Sequence, residues 1–279
     1  MPDIPTTADA KDDRRMTQRL RPSALWDRTA ACLRENLTVL LPVGGVFFFL
    51  PSVIMARLMP AGPVGSLDLG ILLPIGVMLL FQTIGQLTVL LMVLDPHKPT
   101  VREALNGAMR ALAPAIGVQF AILSVVCAFL IVGQLIAMLF AGGAAQAGDT
   151  AAMTRLAVIG MVIAGPAILY ALARLAVVFP ALLLERLTPL EALRRAFRLT
   201  SGSAVPILAL ILVATFLYLF LQLALGTAVG GVFMLLGRLI GVESLGLLFT
   251  LVLTAALGTV ANLVITVALG FAYRELART

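Results

Sequence analysis

The chain has 279 residues, of which 61% are apolar and 12% are charged. Soluble domains are about half apolar and a quarter charged, so this composition excludes an ordinary soluble domain and indicates a chain solvated by lipid. The net charge of +6 comes from basic residues spread between apolar runs, with no aromatic-studded basic module of the kind that binds nucleic acid.

The N-terminal stretch carries no secretory signal. Residues 1–20 lack the apolar core and small-residue cleavage site of such a signal, so we expect a disordered cytoplasmic tail before an uncleaved membrane anchor. Residues 23–36 then place Leu25 and Trp26 opposite Asp27 and Arg28 on a helix. This pattern predicts a helix lying in the membrane interface, where tryptophan is common.

Long apolar runs dominate the rest of the chain. Nearly all reach the roughly 20 residues that cross a bilayer as helix, and they do not resemble the alternating strands of a membrane barrel. We therefore predict an all-α integral membrane protein with a single six-helix transmembrane domain over residues 21–279. Its spans are expected at about 37–56, 69–94, 114–141, 156–184, 204–236 and 244–273.

The fifth apolar run is too long for one straight crossing. Gly226, Gly230 and Gly231 within it allow a break that would leave a short helix or re-entrant piece on the far side. The spacing of Gly226 and Gly230 is also that of a small-residue contact between helices, and we favour this second interpretation.

The distribution of Lys and Arg sets the expected orientation. These residues concentrate before the first span, in the second and fourth loops and at the C-terminus, whereas the first, third and fifth loops hold one each, Arg57, Arg155 and Arg238. Basic flanks resist translocation, so both termini are predicted to be cytoplasmic.

An internal repeat organises the chain. Residues 84–110 align without gaps with residues 172–198, and the same register relates Gln86, Arg174 and Asn262, each a polar residue in an even-numbered span. Thr100 with Glu103 and Thr188 with Glu191 are capping boxes, which predict interfacial helices at about 100–112 and 189–201 beside the one at 23–36. The predicted unit is an interfacial helix followed by a transmembrane hairpin, used three times around a pseudo-threefold axis.

No constellation of residues indicates catalysis. His97, the one histidine, lies in the loop DPHKPT, where a solvated side chain is the commoner interpretation. The chain has no phosphate-binding glycine loop, HExxH motif or Gly-x-Ser-x-Gly elbow, and Cys32 and Cys127 lack metal-type spacing. We expect neither an enzyme nor a bound metal or cofactor.

Arg174 is the charged residue that most needs an explanation. It lies about ten residues, roughly 15 Å, inside the expected boundary near Leu184, deeper than snorkelling comfortably relieves. It either ties the hairpins together or draws an anionic headgroup or substrate into a crevice. The candidate polar partners are Tyr170, Gln86, Gln222 and Asn262.

Four arginines follow the fourth span: Arg186, Arg194, Arg195 and Arg198. They are suited to contact anionic phospholipid, with about 1 kcal/mol for each near a charged leaflet. Setting the topology would explain them equally well.

The run from Arg174 through Pro180 and Glu185 to EALRRAFRLTSG, with the ending VALGFAYRELART, resembles YciC-like proteins and the related membrane domain attached to some glycerophosphoryl diester phosphodiesterases. The chain departs from that pattern at Ala196, where the family often has serine. The resemblance implies a six-helix protein of the bacterial inner membrane. It implies no phosphodiesterase activity, which belongs to a separate soluble domain.

The resulting expectation is a non-enzymatic scaffold or regulator in envelope lipid homeostasis. Its expected partners are membrane phospholipids and a protein partner in the membrane. Anionic phospholipids are expected at the four arginines that follow the fourth span, which we call the arginine patch. The alternative is a transporter or lipid-handling protein that uses Gln86, Arg174 and Asn262 as a polar layer. A third possibility, an intramembrane enzyme, would need a nucleophile–base pair or a set of metal ligands, and this sequence shows neither.

Overall fold

The computed structural model describes residues 22–58, 69–97, 99–140 and 150–278, and throughout these ranges the regular structure is helical. The predicted tail at residues 1–20 lies outside them. The helices are α1 (Pro22–Gly44), α2 (Leu50–Leu58), α3 (Leu69–Leu94), α4 (Val101–Phe140), α5 (Thr150–Leu175), α6 (Val178–Glu185), α7 (Pro189–Leu199), α8 (Ala204–Ile240) and α9 (Glu243–Leu276).

Six helical segments are long and apolar enough to cross a membrane, which confirms the predicted multi-pass, all-α architecture. They are Ala24–Leu58, Leu72–Leu94, Val101–Leu139, Thr154–Glu185, Ala204–Ile240 and Gly246–Leu276. The first comprises α1, α2 and a π-helical turn at Gly45–Phe49. Pro51 has no N–H to donate to Phe47, and just before it Leu50 donates to Gly45 in the i to i−5 pattern of a π turn.

The three predicted interfacial segments fold in two different ways. Residues 189–199 form the separate helix α7, with the predicted capping box between Thr188 and Glu191. Residues 100–112 and 23–36 instead form the first turns of α4 and α1, which run on into their spans. The difference lies in the stop signal, because Gly202 at φ +90° follows α7 and nothing similar interrupts α4 or α1.

The hairpins pack around one another. α3 packs along α4, α5 contacts α8, and α9 packs on both α1 and α3, so each hairpin touches the other two. A cyclic arrangement requires these contacts, whereas the threefold repeat itself stays a prediction. α8 is continuous through Gly226 and Gly230, and a Cβ on Gly230 would come within 3.0 Å of Thr250 Oγ1 on α9. The predicted helix contact is therefore present at Gly230, and the alternative break is absent.

The larger of two clusters of buried residues lies at the end of the bundle that carries α6 and α7. Val177, Val178 and Ala181 are fully buried there against Ala192 and Ala196 of α7. The cluster also takes in residues of α1, α3, α4, α8 and α9. We call this region the α7 end; every hairpin contributes to it.

Candidate functional site

Arg174 lies where the fourth span is interrupted. Pro180 lacks the N–H that would continue an i to i−4 ladder, α5 ends at Leu175, and α6 begins at Val178. Ala173 and Val177 on either side are fully buried, whereas the Tyr170 side of the helix is exposed. The Arg174 side chain therefore lies towards the outside of the bundle and not at its packed centre.

The Arg174 guanidinium joins α5 to the last turn of α7. Its Nε donates to the Tyr170 hydroxyl at 3.1 Å and its Nη1 donates to the Phe197 carbonyl at 3.2 Å. The guanidinium carbon lies 4.4 Å from the centre of the Phe197 ring and 5.5 Å from that of Tyr170, a cation–π geometry. A cation is favourable at a helix C-terminus, so this contact stabilises the end of α7.

A second contact between α5 and the end of α7 runs in the opposite direction, from Thr200 to the backbone of Arg174. The Thr200 hydroxyl lies 3.1 Å from the Arg174 carbonyl oxygen and 2.8 Å from that of Ala196, and it can donate to either. Thr200 is fully buried, so its hydroxyl needs such an acceptor. Both the side chain and the backbone of Arg174 thus hold α7 in place.

The predicted polar layer is distributed over three helices. Gln86 is on α3, Arg174 on α5 and Asn262 on α9, and no hydrogen bond within the described ranges joins any two of them. Asn262 donates to the carbonyl of Gly258 one turn earlier, at 3.0 Å. Of the candidate partners for Arg174, the structure brings Tyr170 into contact.

Glu185 connects α6, α7 and α9. Its carboxylate accepts hydrogen bonds from Arg195 Nε, at 3.0 and 3.1 Å, and from the Tyr273 hydroxyl, at 2.6 Å. Glu185 and its two partners all lie in the motifs that carry the family resemblance, but nothing in the spacing of these motifs indicated that the three side chains meet. Arg195 is therefore engaged within the protein and is the least suited of the four arginines to contact lipid.

Two arginine contacts extend this network to the first hairpin. Arg274 donates to the carbonyl of Leu94, the last residue of α3. Arg28 forms an ion pair with Glu275 at 2.7 Å. Arg274 thus binds a carbonyl in the last turn of a neighbouring helix, as Arg174 does. Together these contacts hold the ends of α3, α7 and α9 in place.

The remaining arginines of the patch, Arg186, Arg194 and Arg198, are exposed. Arg186 has a left-handed backbone with φ 50°, in the turn between α6 and α7. It lines a pocket of about 380 Å³ together with Arg110 of α4. We call this the arginine pocket; its other lining residues are Leu91, Gly107, Ala111, Pro114, Leu182, Leu183 and Leu187. Sequence reasoning used Arg110 only for topology and missed this pairing.

A larger cavity of about 760 Å³ lies between α2, α3, α8 and α9, towards the opposite end of the bundle. We call it the Arg57 cleft. Its polar lining residues are Ser52, Arg57, Gln82, Tyr218, Thr250, Thr254 and Asn262. Only Asn262 belonged to a predicted site. The spacing of Thr250, Thr254, Gly258 and Asn262 at every fourth residue was a signal of a polar helix face.

No cluster of three potential metal ligands occurs among the residues that the structure describes. Comparison of the chain with family models, curated proteins and solved structures gave no match. Functional inference therefore rests on the geometry of the α7 end and of the two cavities.

Proposed function

We propose that the protein is a non-enzymatic scaffold or regulator in envelope lipid homeostasis, in the inner membrane of a bacterium. In this proposal both termini face the cytoplasm, and the three repeats bring their arginine-rich ends together at the α7 end. The observation that carries the proposal is the arginine pocket, where Arg110 and Arg186 share one cavity.

The chemistry of this pocket suits an anionic phospholipid headgroup. Neither arginine forms an ion pair within the described part of the chain, and planar guanidinium groups bind phosphate oxygens in pairs. The other walls are apolar, with Leu91, Leu182 and Leu183. A phosphate at the two arginines could therefore leave the first methylenes of its acyl chains against leucine.

The outer surface of α7 supports the same orientation towards lipid. Leu190 and Phe197 are 59% and 47% exposed, and the neighbouring Arg194 and Arg198 are exposed as well. A helix with apolar and cationic surface side by side is suited to the boundary between acyl chains and anionic headgroups.

Transport through a layer around Arg174 has less support. The guanidinium is held between Tyr170 and Phe197, and the neighbouring centre is closed by Ala173, Val177 and Ala181, all fully buried. A packed centre with an engaged arginine favours a structural role for Arg174, and hence a scaffold.

The test is copurification from native membrane, with proteins and lipids identified in the same sample. In the variant R110Q/R186Q, the anionic lipid retained per protein should fall by about fivefold for each arginine removed, as expected for about 1 kcal/mol each near a charged leaflet. The matched control is R34Q/R102Q, which removes two exposed arginines from α1 and α4 outside the pocket. Equal losses in both variants would contradict a pocket and leave only a general effect of charge.

A further inference from the structure

The Arg57 cleft has a chemistry that the proposed function does not use. Leu247 and Asn262 both line it and lie on one helix. At 1.5 Å per residue the cleft follows α9 for about 22 Å, roughly the depth of one leaflet with its headgroups. Every lining residue lies within a candidate membrane span. A ligand in the cleft would therefore lie within the thickness of the membrane, beside the lipids of one leaflet.

Four polar side chains of the cleft present acceptor oxygens, beside the amide of Gln82 and the hydroxyl of Tyr218. The hydroxyls of Ser52, Thr250 and Thr254 donate to backbone carbonyls of their own helices at 2.6, 2.9 and 2.8 Å. The Asn262 amide donates to Gly258. Their oxygens keep free lone pairs, so these four side chains are complementary to the hydroxyl or amine donors of a ligand.

Arg57 supplies the one positive charge among the described residues that line the cleft. It lies in the last turn of α2, is exposed, and forms no ion pair within the described ranges. An anionic group on the ligand would neutralise it, and a guanidinium favours phosphate for its paired geometry.

We propose that the Arg57 cleft binds the headgroup of an anionic glycerophospholipid whose headgroup carries hydroxyl groups, with the acyl chains remaining in the bilayer. The phosphate binds Arg57, and the headgroup hydroxyls donate to the oxygens of Thr250 and Thr254, which lie one turn, about 6 Å, apart on α9. Phosphatidylglycerol has this combination of one phosphate and a diol. The polar lining replaces headgroup water at a depth where unsatisfied polar groups are costly.

The surroundings favour a lipid over a soluble anion. Leu247, which is 57% exposed, and the apolar Met78 and Leu251 form part of the cleft wall. Acyl chains can lie against such a surface while the headgroup enters, whereas a soluble anion would gain nothing from it. This site lies at the opposite end from the arginine pocket, so the two proposals can fail independently.

The experiment places a fluorescent reporter in the cleft. The full chain carries one tryptophan, so the variant W26F/L247W reports from the cleft wall alone. It is reconstituted in phosphatidylcholine vesicles that contain a fixed fraction of one brominated lipid, either phosphatidylglycerol or phosphatidylcholine. Bromine on the acyl chains quenches the tryptophan fluorescence, so the extent of quenching reports which lipid lies beside the indole. A second reporter, W26F/F216W, places the indole at a 74% exposed position of α8 that does not line the cleft and reports the bulk lipid composition.

The proposal predicts that, at the cleft reporter, phosphatidylglycerol is preferred over phosphatidylcholine by about fivefold, from one arginine near the lipid phosphate, and that there is no preference at the bulk reporter. R57Q should abolish the preference, whereas R155Q, which removes an exposed arginine of α5 outside the cleft, should preserve it. T254V, a nearly isosteric change, should reduce the preference by weakening the acceptor row.

Three results would overturn the proposal. The first is equal quenching by the two lipids at the cleft reporter. The second is an equal loss of the preference for phosphatidylglycerol in R57Q and R155Q. The third is displacement of phosphatidylglycerol by an excess of soluble glycerol phosphate. The last result would assign the cleft to a soluble anion. Circular dichroism and the bulk reporter verify that each variant is folded in the membrane.

Discussion

Replacing Arg174 separates the two interpretations of this residue. In R174A the hydrogen bond to the Phe197 carbonyl, the stacking on the Phe197 ring and the contact with Tyr170 are all lost. A hydrogen bond to a charged group contributes about 1.5 kcal/mol at the low end of its range, which suits a partly exposed arginine. A cation–π contact adds about 0.5–1 kcal/mol and an i, i+4 contact about 0.2–0.5 kcal/mol.

The expected loss in R174A is therefore about 2–3 kcal/mol in the free energy of unfolding. R174K should lose about 1 kcal/mol or more, because a lysine ammonium is a point donor and cannot reproduce the planar fork that serves both Tyr170 and Phe197. If the positive charge alone mattered, lysine would restore the wild-type value.

The assay is reversible unfolding in mixed micelles by increasing the fraction of an ionic detergent, followed by circular dichroism. R155A is the matched control, since Arg155 lies on the same helix, exposed and far from α7. An R174A protein with wild-type stability and abundance that has nevertheless lost its lipid or protein partner would refute the structural role.

Other predictions concern the contacts around α7 and between the spans. Y273F removes the 2.6 Å hydrogen bond to Glu185, and a double-mutant cycle with E185A should show a coupling of about 1 kcal/mol or more. The carboxylate of Glu191 accepts hydrogen bonds from the hydroxyl and the N–H of the N-cap residue, which lower its pKa from the ordinary 4.5. Its stabilisation of α7 is therefore complete above pH 4.5 and is lost as the pH falls through the lowered folded value. Amide protection in the first turn of α7, taken relative to the intrinsic exchange rate at each pH, should fall there, and protection that does not change with pH would contradict the cap. G133V should disrupt the packing of α4 on α5, because a Cβ there would come within 2.5 Å of a backbone oxygen, whereas G165V, with open space around it, should be tolerated in the same detergent titration.

Local signals predicted most elements of the fold, although not the continuity of the predicted interfacial segments at 23–36 and 100–112 with their spans, nor the interruption of the fourth span after Leu175. Apolar run length predicted the six spans, and the capping box at Thr188 predicted the start of α7. The spacing of Gly226 and Gly230 predicted a helix contact, which the structure shows at Gly230. These features depend on residues within a few turns of one another.

The pairing of distant residues was not predictable from the sequence. A span such as α8 carries apolar residues on all sides, and lipid is as apolar as a neighbouring helix, so the sequence pattern does not indicate which face packs inwards. The meeting of Glu185 with Tyr273 and of Arg174 with Phe197 depends on how α6 and α7 fold back onto the bundle. The sequence registry of Gln86, Arg174 and Asn262 suggested a shared layer, whereas the observed hydrogen bonds of Arg174 run to Tyr170 and Phe197.

We propose that two arginines of the fourth span and the turn after it have separate roles, Arg174 in holding the fold and Arg186 in binding lipid. The most direct test is the number of phosphatidylglycerol molecules retained per folded protein, measured by native mass spectrometry for R174Q and R186Q released from the same mixed vesicles. We predict that R186Q loses bound phosphatidylglycerol at unchanged stability, and that the folded fraction of R174Q retains the wild-type number. Loss of the lipid in R174Q with full retention in R186Q would contradict this division of roles.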